Sequence, residues 1–346
     1  LFRSPDFNRS GPIPVTVTVQ PGPVFTLGQV LLQGDAAALD PAAYDLAPGE
    51  PAGSLVILKA GEKMVDDLKA GGRPLAALAR REVVADHDNR TVDVTLAVEA
   101  GPVAPIGEVT VKGARTVDPA FIARYARLRQ GQSYSPEQLR KAAERLRALG
   151  VFSSVTINEA QELAADCSLP LGIIVAEGKH RYFGVGASFS SIDGLGVEGY
   201  WGHRNLFGQA ESLRLEGKVS GLGEWSGIED LDYSAGITFI KPGAFFPSAT
   251  LEASIKGATL TTESYDAASV LGKVAFAYDI TDYDKVSAGV SLGYDDIDDA
   301  FGNNTYLTFG VPLGYTRDTR DNKLNPTEGF NATLSAIPSY EISGET

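Results

Sequence analysis

From Phe183 to about Tyr340 the chain alternates with period two, and nothing else constrains its fold as strongly. Phe183, Val185, Ala187 and Phe189 alternate with Gly184, Gly186, Ser188 and Ser190. Tyr233, Ala235, Ile237 and Phe239 alternate with Ser234, Gly236 and Thr238, and Val286, Ala288, Val290 and Leu292 with Ser287, Gly289, Ser291 and Gly293. Such alternation puts one class of side chain on each face of a strand, and the region reads as about nine consecutive strands with no amphipathic helix. One face is apolar or small throughout. The other carries Arg214, Glu216, Lys218, Glu252 and Lys256. A soluble sandwich and a membrane barrel both give this pattern. Three features favour a barrel: charges of both signs in mid-strand suit a wet lumen, segments of about ten residues suit a bilayer crossing, and aromatics (Tyr200, Trp201, Phe207, Phe239, Phe245, Phe246, Tyr283, Tyr294, Phe330) gather near segment ends as an interfacial girdle.

The first half contains a repeat. Residues 15–22 (VTVTVQPG), 92–101 (VDVTLAVEAG) and 171–178 (LGIIVAEG) are strands closing on a glycine, and the first two glycines are followed by GPVFTLGQV and GPVAPIGEV. A long fixed period marks tandem units. In the clearer unit, Ile106 to Lys112 reads as a strand. Asp118-Pro119 caps a short helix to about Leu128, and Ser135 opens a second, with Gln138 placed for a capping box. Leu139, Ala142, Ala143, Leu146 and Leu149 form its apolar face, Gly150 ends it, and Val151 to Asn158 and Ser168 to Glu177 are strands. The unit is β-α-α-β-β. The preceding one follows the plan more loosely: a strand over Phe25–Leu32, a helix from Ser54 to Gly71, strands over Pro74–Asp86 and Thr91–Glu99. The expected domains are 1–21, the end of an earlier unit; 22–100 and 101–180, two α+β units; and 181–346, the strand region, with Glu177-Gly178-Lys179-His180 as the hinge between the two patterns.

Several function classes are set aside. A net charge of −14 disfavours a nucleic-acid partner. The single cysteine, Cys167, permits no internal disulfide. The uncharged run 10–34 contains Pro12, Pro14, Pro21 and Pro23, which preclude a membrane helix. No signal peptide is visible, so the N-terminus reads as cytosolic, processed or truncated. GLGVEG at 194–199 matches GxGxxG, but a strand rather than a helix follows it, and a hairpin is the better reading. His87, His180 and His203 are isolated, and Asp295, Asp296, Asp298 and Asp299 read as a solvated loop rather than a cation site. No catalytic or metal motif is present; the expectation is a non-enzymatic protein without a cofactor.

Four stretches carry a family resemblance: 133–139 (SYSPEQL) with 149–155 (LGVFSSV), 184–194 (GVGASFSSIDG), 201–208 (WGHRNLFG) and 315–330 (YTRDTRDNKLNPTEGF). In this order they resemble the Omp85 superfamily, within it most nearly the TamA family, the outer-membrane subunits of the translocation and assembly module. The resemblance implies α+β periplasmic POTRA repeats followed by a transmembrane antiparallel β-barrel of about sixteen strands. About nine strands would leave edges unpaired in lipid, so the barrel is expected to be incomplete in this chain. The family's Arg-Gly-Phe/Tyr motif is absent. The implied location is the outer membrane of a Gram-negative bacterium, with loops outside near Asp193, Gly223, Ser264 and Asp298, and turns near Phe207, Pro242, Asp282 and Asn322 in the periplasm. The implied function is insertion of unfolded outer-membrane proteins, such as autotransporters, with outer-membrane lipid and a TamB-like, inner-membrane-anchored protein as partners. Clients would meet two strand edges. One is the second strand of the last POTRA domain, Val151, Phe152, Ser153, Ser154, Val155, Thr156 and Ile157. The other is the first barrel strand Tyr182, Phe183, Gly184, Val185, Gly186, Ala187, Ser188, Phe189 and Ser190, a lateral gate that Gly184 and Gly186 would loosen. A BamA-type assembly subunit, a two-partner secretion pore and a soluble β-rich binding protein are the alternatives.

Overall fold

A computed structural model describes residues 22–190, 194–222, 231–262 and 264–344. The expected fragment at 1–21 and the loops at Asp193 and Gly223 lie outside these. The chain divides into two compact units, up to Val103 and from Ala104. The second therefore includes both the last α+β domain and the strand region.

The first unit comprises β1 (Thr26–Gly34), a 3₁₀ turn at Pro41–Tyr44, α1 (Ser54–Ala70), β2 (Ala77–Asp86) and β3 (Thr91–Glu99). Its sheet runs β1-β3-β2, with β1 parallel and β2 antiparallel to β3. Ile57, Ala60 and Met64, at helical spacing on α1, are buried against Leu27, Leu32 and Val92, Val94, Leu96 and Val98. In the second unit β4 (Ile106–Lys112), α2 (Pro119–Ala126), α3 (Pro136–Ala148), β5 (Phe152–Glu159) and β6 (Leu169–Glu177) repeat this topology as β4-β6-β5. The shared GQV and GEV motifs have a shared cause. Each glycine lies in a bulge of the parallel pair, and a Cβ would strike Asp93 at Gly28 and Ser168 at Gly107. Asp118 caps α2 as expected. The capping box does not form: Ser135 makes no side-chain cap, and the Gln138 amide oxygen accepts from Gln132 Nε2 at 2.8 Å.

The strand region opens with β7 (Arg181–Ser190), β8 (Gly194–His203), β9 (Ser212–Leu222), β10 (Asp232–Pro242), β11 (Ala249–Thr261), β12 (Tyr265–Asp279) and β13 (Asp284–Asp299), an antiparallel meander. Then β14 (Gly302–Gly310) and β15 (Leu313–Asp318) both pair with β13 and are one pass divided at Val311-Pro312. Likewise β16 (Asn331–Ala336) and β17 (Ser339–Gly344) are one pass divided at Ile337-Pro338. The 11-stranded sheet is thus nine crossings. The acidic run at 295–299 is the end of β13 and pairs with β12 and β14, so the turn expected near Asp298 falls at Ala300-Phe301, two or three residues later.

Register carries the alternation across the whole wall. Phe183, Trp201, Leu215, Ile237, Ile255, Gly272, Leu292, Phe309 and Tyr340 are successive cross-strand partners. The adjacent row is Tyr182, Gly202, Arg214, Thr238, Ser254, Lys273, Ser291, Gly310 and Ser339. Among the described residues no second sheet covers the apolar row, where Phe183 and Val185 are 81% and 85% exposed. That is a lipid-facing wall with a polar interior, the inverse of a sandwich. Among the described residues the sheet does not close. Its edges are β7 and the pass formed by β16 and β17. No described helix is long and apolar enough to cross a membrane; the strands do the crossing.

Candidate functional site

The first barrel strand is fastened on one side only. Every residue of β7 pairs with β8, from Arg181 opposite His203 to Ser190 opposite Gly194. Its other edge has no partner among the described residues. The glycines here receive side chains. A Cβ on Gly184 would lie 2.5 Å from the Tyr200 ring, one on Gly202 would overlap the Tyr182 ring, and one on Gly186 would press on Glu198. The tyrosines on the two strands lie 6.0 Å apart, with Arg204 4.5 Å above Tyr182 and Arg214 4.3 Å above Tyr200. Gly184 therefore seats a ring that binds β7 to β8, rather than simply loosening the strand.

Three residues, Gly178 to His180, separate β6 from β7, and a polar hub holds them. The Glu177 carboxylate, whose side chain is 9% exposed, accepts the backbone N–H groups of Arg115, Thr116 and Val117 at 2.7, 2.8 and 3.0 Å and the Thr116 hydroxyl at 2.5 Å. Burial pushes its pKa up, but the Thr116 hydroxyl and the three N–H groups outweigh burial and hold it at about 2. His180 Nε2 reaches Thr116 Oγ1 at 2.9 Å and Glu177 Oε2 at 3.2 Å; as both oxygens can accept, this nitrogen carries the proton. From the barrel, buried Asn205 donates to the Thr116 carbonyl at 3.2 Å, and Gly208 O accepts from Asp118 N at 2.8 Å. Arg204 N donates to His180 O at 2.8 Å. The turn itself is built on Glu211, 1% exposed, which accepts from Gln209 N at 2.8 Å and Lys241 Nζ at 2.9 Å. Burial raises its pKa, and the Lys241 ammonium and Gln209 N–H more than reverse this.

Two further rim turns meet the same domain. Gly243, at φ +65°, packs beneath Phe121 and Tyr125 of α2. Arg127 Nη2 donates to Pro247 O at 3.0 Å and Asp279 Oδ2 at 3.1 Å, and Lys141 Nζ meets Asp282 at 2.6 Å. The turns predicted near Phe207, Pro242 and Asp282 thus lie at one end, the end bearing the α+β domain. These contacts join residues far apart in sequence, and single polar residues in turns carry no periodic signal that marks them. Only the Glu177–His180 stretch stood out in the sequence, as the boundary between two patterns.

The other candidate edge is β5. Ala160 N donates to Pro170 O at 3.1 Å, so by alternation Val155 and Ile157 turn their backbone groups outward. Val155 O is already taken by Arg147 Nη2 at 2.8 Å. Val151 does not belong to this edge: it precedes β5, is fully buried, and its carbonyl accepts Gly178 N at 2.8 Å. A bulge between Phe152 and Ser154 shifts the phase there. Among the described residues no group of three acidic, histidine or cysteine side chains is placed to hold a metal.

A meander of nine transmembrane passes entered from a β-α-α-β-β domain defines an outer-membrane barrel with periplasmic domains. Residues 205–346 match the Omp85 superfamily domain, and residues 104–178 match POTRA, the surface antigen variable number repeat. Residues 205–346 are thus an Omp85 superfamily domain of the outer membrane, and residues 104–178 a POTRA domain on its periplasmic side. It is 24% identical over 351 residues to the outer membrane protein assembly factor BamA of Nitratidesulfovibrio vulgaris, covering 94% of this chain and 42% of that one. BamA from Haemophilus ducreyi lacking POTRA domains 1-3 superimposes with a TM-score of 0.69 at 15% identity, covering 91% of this chain and 64% of that one. CdiB from Acinetobacter baumannii gives 0.51 at 12% identity, covering 94% and 63%. The chain spans under half of the curated relative and under two thirds of either structure. These likenesses support the superfamily and the fold; they single out neither TamA nor any other branch.

Proposed function

We propose that this protein inserts other β-barrel proteins into the outer membrane, with β7 as the templating strand of a lateral gate. The observation that carries this is the place of β7 as the first strand of the sheet, interlocked with β8 through Tyr182, Tyr200 and their facing glycines, so that its other edge is the seam the closing strand of the barrel would complete. In a bilayer a seam edge that parts from its partner demands a strand, and an incoming client strand meets that demand. The reading extends to unfolded clients of the autotransporter kind, to residues 22–100 as a second POTRA domain, and to a TamB-like partner spanning the periplasm. A secretion pore is the second reading, supported by the charged lumen around Arg214, Glu216 and Lys256. Full-length protein in liposomes separates the two. Insertase action speeds the insertion of an unfolded autotransporter barrel over empty liposomes, and a disulfide locking β7 to the closing strand removes the gain. Ion conductance without acceleration favours the pore.

A further inference from the structure

We propose that the barrel wall is creased at mid-height across its last two described passes, so that its extracellular half (β14, β17) moves separately from its periplasmic half (β15, β16). Two prolines, Pro312 and Pro338, interrupt these passes. Register is unbroken across the gap between β14 and β15, since Ser291 faces Gly310 and Ala288 faces Leu313. Pro312 therefore stands opposite Gly289. Gly289 N donates to Pro312 O at 2.9 Å, and the reciprocal bond cannot form, because proline has no N–H. One strand further on, Gly310 faces Ser339 and Leu313 faces Ala336, so Val311 stands opposite Pro338. Val311 N donates to Pro338 O at 2.9 Å, again without a return bond. The carbonyls of Gly289 and Val311 thus lose their ladder donors in adjacent gaps at one height.

That height is the middle of the membrane. Val290 lies between Tyr294 on β13 and Tyr283 in the turn just before that strand, and a backbone acceptor without a donor is costly at that depth. Proline inside a sheet is otherwise confined to edges and bulges. The lumen-facing neighbours Gly289, Gly310 and Gly314 offer no side chains to stiffen the line, and β17 carries a bulge opposite Leu307 and Thr308. The contrast is β10 to β13, whose ladders run without a register shift. At the same height those strands place Ala253 opposite Val274 and Val274 opposite Val290. A line that lacks bonds across neighbouring strands is where a wall bends first, and here it divides the outer half of the sheet from the inner. The inference does not depend on a client entering at β7.

The test is amide hydrogen exchange of the full-length protein in lipid nanodiscs, followed by the variants P312T and P338V. The Gly289 and Val311 amides should exchange about tenfold faster than those of Ala253 and Val274 at the same depth, the factor expected for losing one neighbouring bond. The variants supply the missing N–H groups and should bring the rates together while raising the temperature at which the barrel loses its compact gel mobility. Equal protection in the unmodified protein overturns the proposal, as do folded variants whose exchange is unchanged. If either variant fails to fold, the comparison within the unmodified protein still decides. Loss of client insertion alone, with exchange as expected, would count against the gate and not against the crease.

Discussion

Residues 22–100 and 104–178 build the same three-stranded sheet with glycines at the same two places, yet their corners and edges are finished differently. Gly34 and Gly113 both end the first strand at positive φ, each against a carbonyl of the third strand, Val98 or Val175. In the first unit Asp35 closes that corner by accepting Ala100 N at 2.7 Å. In the second the polarity reverses, and Glu177 accepts three N–H groups from the loop after β4. The reversal matters because Glu177 stands three residues before the barrel, so its corner also seats Asn205 and His180. The edge strands differ as well. Residues 79–85 of β2 are exposed on both faces, whereas β5 has Arg147 across Val155 O. Where the POTRA domain meets the membrane it is anchored and its edge is blunted; among the described residues the preceding unit keeps its edge bare.

The largest expected effect tests the equivalence itself. G113A places a methyl against Val175 O at φ +88°, and G34A places one 2.5 Å from Val98 O at φ +67°. Each should cost about 3 kcal/mol and strip hydrogen-exchange protection from its own unit alone. Tolerance at one site and not the other would break the equivalence.

E177Q comes next, at about 2 kcal/mol, because an amide nitrogen in place of Oε2 cannot accept from the Thr116 hydroxyl or His180 Nε2 and the charge that holds the three N–H groups on Oε1 is lost. The carboxyl's pKa falls from 4.5 to about 2 on folding. Its stabilisation is therefore complete above pH 4.5 and lost as the pH falls towards 2. Distances between spin labels on α3 and the barrel rim should broaden across that window, and should show no such dependence in E177Q. R147A should cost about 1 kcal/mol while freeing Val155 O. An extended peptide should then cross-link to β5 more strongly, with no change at β2; an unchanged β5 would mean that Arg147 does not guard the edge. The smallest effect belongs to K141A, below about 1 kcal/mol and erased by high salt, since the Lys141–Asp282 pair is solvent-accessible.

Most of this architecture was legible in the sequence because it is periodic. The period-two run located the passes, and the repeated glycine motifs gave both α+β units with their order of elements; the parallel pairing of the first strand with the last came only from the fold. Val151 was misplaced because a bulge shifts alternation by one residue, and a bulge leaves no mark in a short apolar run. The ring of Tyr200 that lies over Gly184 was not legible, since it comes from the facing strand sixteen residues on. The hub around Glu177 was visible only as a boundary, since its partners Thr116 and Asn205 are ordinary polar residues until the fold brings them together.

The gate is tested most directly by cross-linking during assembly. With Cys167 replaced by serine, single cysteines at Val185, Ala187 or Ser188 would be followed in the full-length protein while a client barrel with cysteines along its terminal strand inserts. The account predicts disulfides between β7 and that strand in one antiparallel register, formed before the client is fully folded. Insertion of the client with no β7 cross-link, or with cross-links only to lumen-facing residues such as Lys256 and Lys273 replaced by cysteine, would contradict it.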